Sequence, residues 1–335
     1  MSHIHISRGL KTRHRQYFTS RPNLFCGQFC STNMTSKPIL EVQDLHKTYG
    51  DFQAVKGVGF TVYEGDIFGF LGPNGAGKST TMRMITSLVK PTMGQIRVFG
   101  LPLESNREHI MSRMGVIVEK PDLYGYLSAY DNLKMLASLN QKKIGRQRIE
   151  EVLALVGLQE RAKDKVKKFS QGMKQRLGIA QALIHDPELI VLDEPSNGLD
   201  PQGIVDIREL VIKLGREMGK TVILSSHLLS EVELMANRMV IINKGTVSVE
   251  GNVADLLGGS MLKVSVECSS SEKALALMEA SGLADGFQKV SDSVIQMEMD
   301  RIHVPAIIDM LVKNGISVQS VVPVRKLEDY FLNLV

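Results

Sequence analysis

The segment Gly72-Pro-Asn-Gly-Ala-Gly-Lys-Ser-Thr80 restricts the fold of this chain more than any other. Its spacing, G-x-x-x-x-G-K-[ST], binds phosphate only where a strand turns sharply into a helix. The flanks comply, because VKGVGFTVYEGDIFGFLG reads as strands and TTMRMITSLV as a helix. Across Gly72, Pro73, Asn74, Gly75, Ala76 and Gly77 the backbone can curl until its N–H groups converge on phosphate oxygens. The next helix points its positive end at the same spot. In this pattern Lys78 reaches the terminal phosphates, Ser79 ligates Mg²⁺ and Thr80 closes the motif.

Further along, the apolar runs ELIVLDEP, TVILSSH and MVIINKGTV alternate with helical patterns such as GIVDIRELVIKLGREM. Unbroken apolar strands between helices are expected of a parallel sheet covered on both faces, an α/β fold. The first run ends in Asp193-Glu194. Two carboxylates closing a buried strand are costly without partners. A nucleotide site employs both, Asp193 on Mg²⁺ and Glu194 as general base toward water. Residues 128 to 160 carry apolar positions at helical spacing and form a lobe of their own.

Phe169-Ser-Gln-Gly-Met-Lys-Gln-Arg-Leu177, upstream of that acidic strand, resembles the signature motif of ATP-binding-cassette ATPases. Ser196-Asn-Gly-Leu-Asp-Pro201 is similar to the family's D-loop, His227 to its switch histidine, and Tyr49 to the aromatic that stacks on adenine. The resemblance spans about residues 38 to 258. It implies a phosphate-loop core with a mixed sheet, an antiparallel β subdomain and a helical subdomain at about 120–180, within a domain at 37–258. It also implies ATP and Mg²⁺ as ligands and a head-to-tail dimer with a second copy or a homologous subunit. Each ATP then lies between one subunit's phosphate loop and the other's Ser170 and Gly172. His227 contacts the γ-phosphate and Asp200 links the two sites. An integral membrane permease completes the assembly, and the chain sits at the cytoplasmic face of the cell membrane.

Two positions depart from the family pattern. Gln171 and Met173 alter the middle of the signature while Ser170 and Gly172 stay. In MGVIVEKPDLYGYLS, Glu119 stands where a glutamine sensing Mg²⁺ and the membrane partner is usual. The chain resembles here the subgroup that exports bacitracin and lantibiotics, and Glu119 is read as the coupling residue and, with Ser79 and Asp193, as a Mg²⁺ ligand at the nucleotide. Leu123, Tyr124 and Tyr126 in the next segment offer an apolar contact for the permease. Lys326-Leu-Glu-Asp-Tyr-Phe-Leu332 resembles the chain end of exporter-type subunits. The rival reading is a regulatory ATPase of the same superfamily that serves ribosomes or DNA. Such chains carry two cassettes or a long coiled coil, whereas here the phosphate loop occurs once and no sustained heptad run appears.

Charge argues in the same direction. The net charge is +4, but Arg8, Lys11, Arg13, Arg15 and Arg21 lie in a leader without Asp or Glu, so the remainder is near neutral. It lacks the basic footprint of a nucleic-acid binder, and no nucleic-acid partner is expected. The leader, residues 1–36, has no apolar period and is expected to be disordered. Its composition fits an organellar targeting segment or, as preferred, an over-extended start ahead of a natural Met34. No apolar run reaches the roughly 18 residues that cross a bilayer. Cys26, Cys30 and Cys268 are too few and scattered for a disulfide framework. After Gly258-Gly259 shorter strands and helices alternate, so residues 259–335 read as a small α+β domain of ferredoxin-like type.

Overall fold

The computed structural model describes residues 37–140, 143–256, 261–281 and 285–324. The leader with Met34, Cys26 and Cys30, and the terminal Lys326–Leu332, lie outside the described residues.

Two long strands, β1 (Pro38–Tyr49) and β2 (Phe52–Tyr63), form a hairpin turned at Gly50-Asp51. They lead into β3 (Ile67–Leu71), the phosphate loop and α1 (Lys78–Ile85). The chain returns to the hairpin through β4 (Met93–Val98) and β5 (Leu101–Pro102), then passes α2 (Arg107–Met111) to β6 (Met114–Ile117). Three helices come next, α3 (Ala129–Ala137), α4 (Arg146–Leu155) and α5 (Gln171–Leu183). The remaining core elements are β7 (Leu189–Leu192), α6 (Pro201–Ile212), β8 (Thr221–Ser226), α7 (Leu229–Met235), β9 (Arg238–Asn243), β10 (Thr246–Asn252) and α8 (Val253–Leu256). The main sheet runs β10-β9-β3-β8-β7-β6, parallel except at β10, and the antiparallel layer runs β2-β1-β4-β5.

Period-2 alternation in the main sheet feeds two separate cores. Phe68 and Phe70 of β3, Leu189 and Val191 of β7 and Ile223 of β8 pack with the antiparallel layer. Their sequence neighbours Ile67, Leu71, Ile190, Leu192, Val222 and Leu224 pack with the helices. Both faces are therefore apolar, and the strands read as continuous runs rather than alternating ones. Phe60 of the antiparallel layer stacks on Phe68 with ring centroids 5.5 Å apart, which locks the two layers together.

The C-terminal elements are β11 (Met261–Cys268), α9 (Ser271–Ser281), β12 (Asp285–Lys289), β13 (Val294–Asp300), α10 (Val304–Lys313) and β14 (Val318–Val324). Their sheet order, β12-β13-β11-β14, is fully antiparallel. That order with this sequence of elements is the split βαβ arrangement of ferredoxin-like folds. Its core is its own: Val264, Val266, Ile295, Met297, Met299, Ile307 and Leu311 form a cluster separate from the two above. Cys268 is buried and free there. Among the described residues no helix is long and apolar enough to cross a membrane.

Candidate nucleotide site

Strands β3, β8 and β7 are neighbours in register, with Leu71 opposite Ser226 and Leu192 opposite Leu224. β3 and β8 therefore end at one level and β7 two residues earlier, all at the carboxyl edge, where open α/β sheets bind ligands. The site is made of the residues just past those ends: Gly72 after β3, Asp193-Glu194 after β7, His227 after β8.

Sterics explain the glycines of the loop. A Cβ on Gly72 would stand 2.4 Å from the carbonyl oxygen of Ile242, and one on Gly77 2.7 Å from that of Ala54. Gly77 also has φ of 105°, which side chains resist. The turn between β9 and β10 braces the loop from behind, with Gly245 N–H donating to Ala76 O at 3.0 Å. Gly77 caps α1 without a side-chain hydrogen bond, so the first-turn N–H groups have no capping side chain. Lys78 is only 5% exposed. Its Nζ donates to Gly72 O at 2.8 Å and Pro73 O at 3.2 Å, and lies 3.1 Å from Glu194 Oε1.

The other Glu194 oxygen, Oε2, is 2.7 Å from His227 Nδ1. Glu194 has φ of 47°, a left-handed conformation uncommon for an L-residue. Asp193 is 6% exposed, and its Oδ1 accepts the Ser225 hydroxyl at 2.5 Å. Lys78, Glu194 and His227 thus form one bonded cluster, with Asp193 beside it. Ser79 and Thr80 are half-buried at the start of α1, while Asn74 and Gly75 are exposed. Ser79 and Asp193 are hard oxygen donors of the kind Mg²⁺ prefers. Among the described residues no cluster of three or more His, Cys, Asp or Glu could hold a metal. A Mg²⁺ ion here would take its remaining ligands from phosphate and water, which is its usual habit.

Tyr49 closes β1, 44% exposed, with Lys47 Nζ 5.0 Å from its ring centroid. Phe52, its partner across the hairpin, is still more exposed. The same hairpin supplies the Ala54 carbonyl that walls Gly77.

Ser170, Gly172 and Asp200 belong to other helix tips. Ser170 caps α5, its hydroxyl accepting Met173 N–H at 3.2 Å, and is exposed. A Cβ on Gly172 would meet only open space. Asp200 caps α6 by accepting Gly203 N–H at 3.2 Å. A Cβ on Gly198 would come 2.8 Å from Gln171 Nε2, so the loop leading to Asp200 lies against the start of α5. No hydrogen bond or ion pair among the described residues joins these three to the Lys78 cluster.

Glu119 lies just past β6, left-handed at φ of 72° and 61% exposed at its side chain. Its carboxylate pairs with Arg83 in the last turn of α1. Among the described residues nothing bonds it to Lys78, Asp193 or Glu194. Phe52, Ser225 and Glu231 belong to no motif legible in the sequence. Two serines closing the apolar run TVILSS were the available signal for Ser225, and Glu231 had none.

A glycine loop holding a buried lysine, set beside an acid and a histidine at the carboxyl edge of a parallel sheet, is the working end of a phosphate-loop nucleoside triphosphatase. Relatives narrow the class. Residues 55–197 match the family model described as ABC transporter. The chain is 42% identical over 301 residues to the bacitracin transport ATP-binding protein BcrA of Bacillus licheniformis, covering 89% of this chain and 97% of that protein. It is 43% identical over 212 residues to the lantibiotic transport ATP-binding protein SrtF of Streptococcus pyogenes, covering 63% and 90%. The dimeric post-hydrolysis structure of the ATP-binding cassette MJ0796 with ADP and Pi is similar at TM-score 0.58 and 28% identity, over 64% of this chain and 98% of that one. This chain belongs to the ABC transporter family as an ATP-binding subunit, and it is an ATPase coupled to transport.

Proposed function

We propose that this chain powers efflux of a peptide antibiotic, drug or similar compound through a separate membrane permease, as one of two ATP-hydrolysing subunits at the cytoplasmic face of the cell membrane. The bacitracin and lantibiotic relatives support that cargo class. The permease and the dimer are supported by the relatives' description as transport ATP-binding proteins and by the dimeric cassette structures. On this reading residues 37–258 are the motor, and residues 259–335 a separate domain.

Within the motor, the loop from Gly72 to Thr80 wraps the phosphates, Lys78 binds the β- and γ-oxygens, and Tyr49 stacks on adenine. Ser79 and Asp193 hold Mg²⁺, which when bound neutralises charge on the β- and γ-phosphates. Glu194 accepts the proton of the attacking water and His227 keeps that water and the γ-phosphate in line. The observation that carries this reading is the gathering of Lys78, Glu194 and His227 in one cluster. The positive charge now balanced by Glu194 is the charge that a γ-phosphate takes over. Ser170 and Gly172 serve the nucleotide of the second subunit and Asp200 links the two sites. The exposure of Ser170 and Asp200 at helix tips, and the open space beside Gly172, support this role.

Glu119 is assigned to coupling rather than to nucleotide chemistry alone, in keeping with its ion pair to Arg83. Tyr124 and Tyr126, a few residues on, are exposed and packed edge to face at 5.8 Å, and are assigned to the permease contact. Glu194→Gln tests the core of the proposal. The variant should bind ATP, dimerise on gel filtration and hydrolyse at least about a hundredfold more slowly, the scale of a lost general base. Hydrolysis at the wild-type rate removes Glu194 from that role.

A further inference from the structure

The end of β8 carries a feature that neither the phosphate loop nor the signature motif accounts for. Thr221 to Leu224 fill the sheet, and then come two serines where apolar side chains would pack. Ser225 is 0% exposed. A hydroxyl at such a place is costly unless it is bonded, so its bonds identify what it is for.

Both bonds go to the neighbouring strand end. The Ser225 hydroxyl donates to Asp193 Oδ1 at 2.5 Å and accepts Glu194 N–H at 2.8 Å. One side chain therefore holds the carboxylate of one residue and the backbone of the next. Glu194 has special need of such a hold, because its left-handed backbone is a conformation that a neighbouring contact must maintain. With its N–H fixed, the side chain leaves the backbone toward Lys78 and His227. With Oδ1 of Asp193 occupied, the rotation of that carboxylate is set and Oδ2 is oriented.

We propose that Ser225 is a positioning residue of the hydrolytic centre, which orients Asp193 toward the magnesium ion and sets the backbone from which Glu194 reaches its water. The inference rests on the reading of Asp193 as metal ligand and Glu194 as base. It adds that the strand bearing the switch histidine also carries the group that holds both acids in place. The next serine works elsewhere: Ser226 Oγ accepts Leu228 N–H at 3.0 Å and donates to Glu231 Oε2 at 3.2 Å. It is the built-in control.

The test uses the full chain and measures the affinity for a fluorescent ATP analogue in Mg²⁺ and again in EDTA, together with steady-state hydrolysis. Ser225→Ala should weaken binding in Mg²⁺ about tenfold and lower kcat by about tenfold or more, the scale set by leaving a buried acceptor and donor without partners. Binding in EDTA should stay within about twofold. Ser225→Thr, which keeps the hydroxyl, should recover most of the Mg²⁺ effect, and Ser226→Ala should leave it intact. Should Ser225→Ala fail to fold, Ser225→Cys, with its weak donor, is measured in the same way. The proposal is overturned if the variant keeps wild-type Mg²⁺ dependence and kcat, or if binding weakens equally with and without Mg²⁺. Asp193→Asn tells the two levels apart. If it abolishes the Mg²⁺ effect while Ser225→Ala does not, only the role of Ser225 falls; if it does not, the reading of Asp193 falls as well.

Discussion

The tips of α1 and α5 are both helix N-termini suited to anions, yet they are finished in different ways. α1 starts at Gly77, which has no side chain to cap it, and is walled by the Ala54 and Ile242 carbonyls around its loop. α5 starts at Ser170, which caps its own helix by accepting Met173 N–H and stands exposed. The first tip is enclosed by its own chain and faces Lys78, Glu194 and His227. The second is satisfied locally and has none of those groups within bonding reach. On the proposed function, one end holds phosphate within a protomer and the other serves the nucleotide of a second subunit.

The largest effect should come from breaking that division of labour. Lys78→Ala ought to cost the protomer's own ATP affinity about a hundredfold, as expected for a lost charge-assisted contact. Ser170→Arg should leave that affinity within about twofold while halting hydrolysis and dimer formation, if the tip acts across an interface as proposed. Calorimetry on each variant, and gel filtration of the second in a Glu194→Gln background, read the two outcomes. An equal loss of monomer affinity in both variants would erase the distinction between the tips.

A smaller effect sharpens the comparison from the side of stability. Ser170→Ala deletes the cap of α5 and should cost about 1 kcal/mol. In a chain of this size that is a fall of a few degrees in thermal midpoint. Since α1 has no side-chain cap to lose, the corresponding change at its tip acts through strain instead. Gly77 sits at φ of 105° against a carbonyl, and Gly77→Ala should impair nucleotide binding more than folding.

The smallest effect lies at the far end of α5. His185, just beyond it, is held at 2.9 Å from Met114 O, and burial lowers its pKa below the usual 6.5. The unfolded chain therefore binds the proton more readily, so stability rises with pH through this window. The contribution is complete above about 6.5 and declines as pH falls from there through the lower folded value. His185→Gln should flatten the acid side of a stability profile measured by urea titration. An unchanged profile would show that this joint between α5 and β6 bears no proton-linked load.

Glu231 marks a limit of reading such a chain from its letters. Nothing around it in the sequence distinguishes it from a solvated helical acid, yet it is buried and accepts Ser196 Oγ at 2.5 Å and Ser226 Oγ at 3.2 Å. Ser225 gave only the faint signal of polarity inside an apolar run. Glu119, by contrast, stood out by its place in a motif, and its pairing with Arg83 was still not foreseeable.

The linear chain by itself settled the local features: the glycine loop between strand and helix, the Ser170 helix start, the continuous apolar strands and the change of pattern after Gly258-Gly259. These depend on a few adjacent residues, whose φ, ψ and periodicity arise from their own chemistry. Only the tertiary structure decided that Lys78, Glu194 and His227 touch, that Ser225 holds both acids, and that Glu119 turns to Arg83. The first two depend on the register of three parallel strands, and the third on how α1 lies beside the end of β6. Which side chains meet at such an edge is set when the sheet packs, after every local preference has been satisfied.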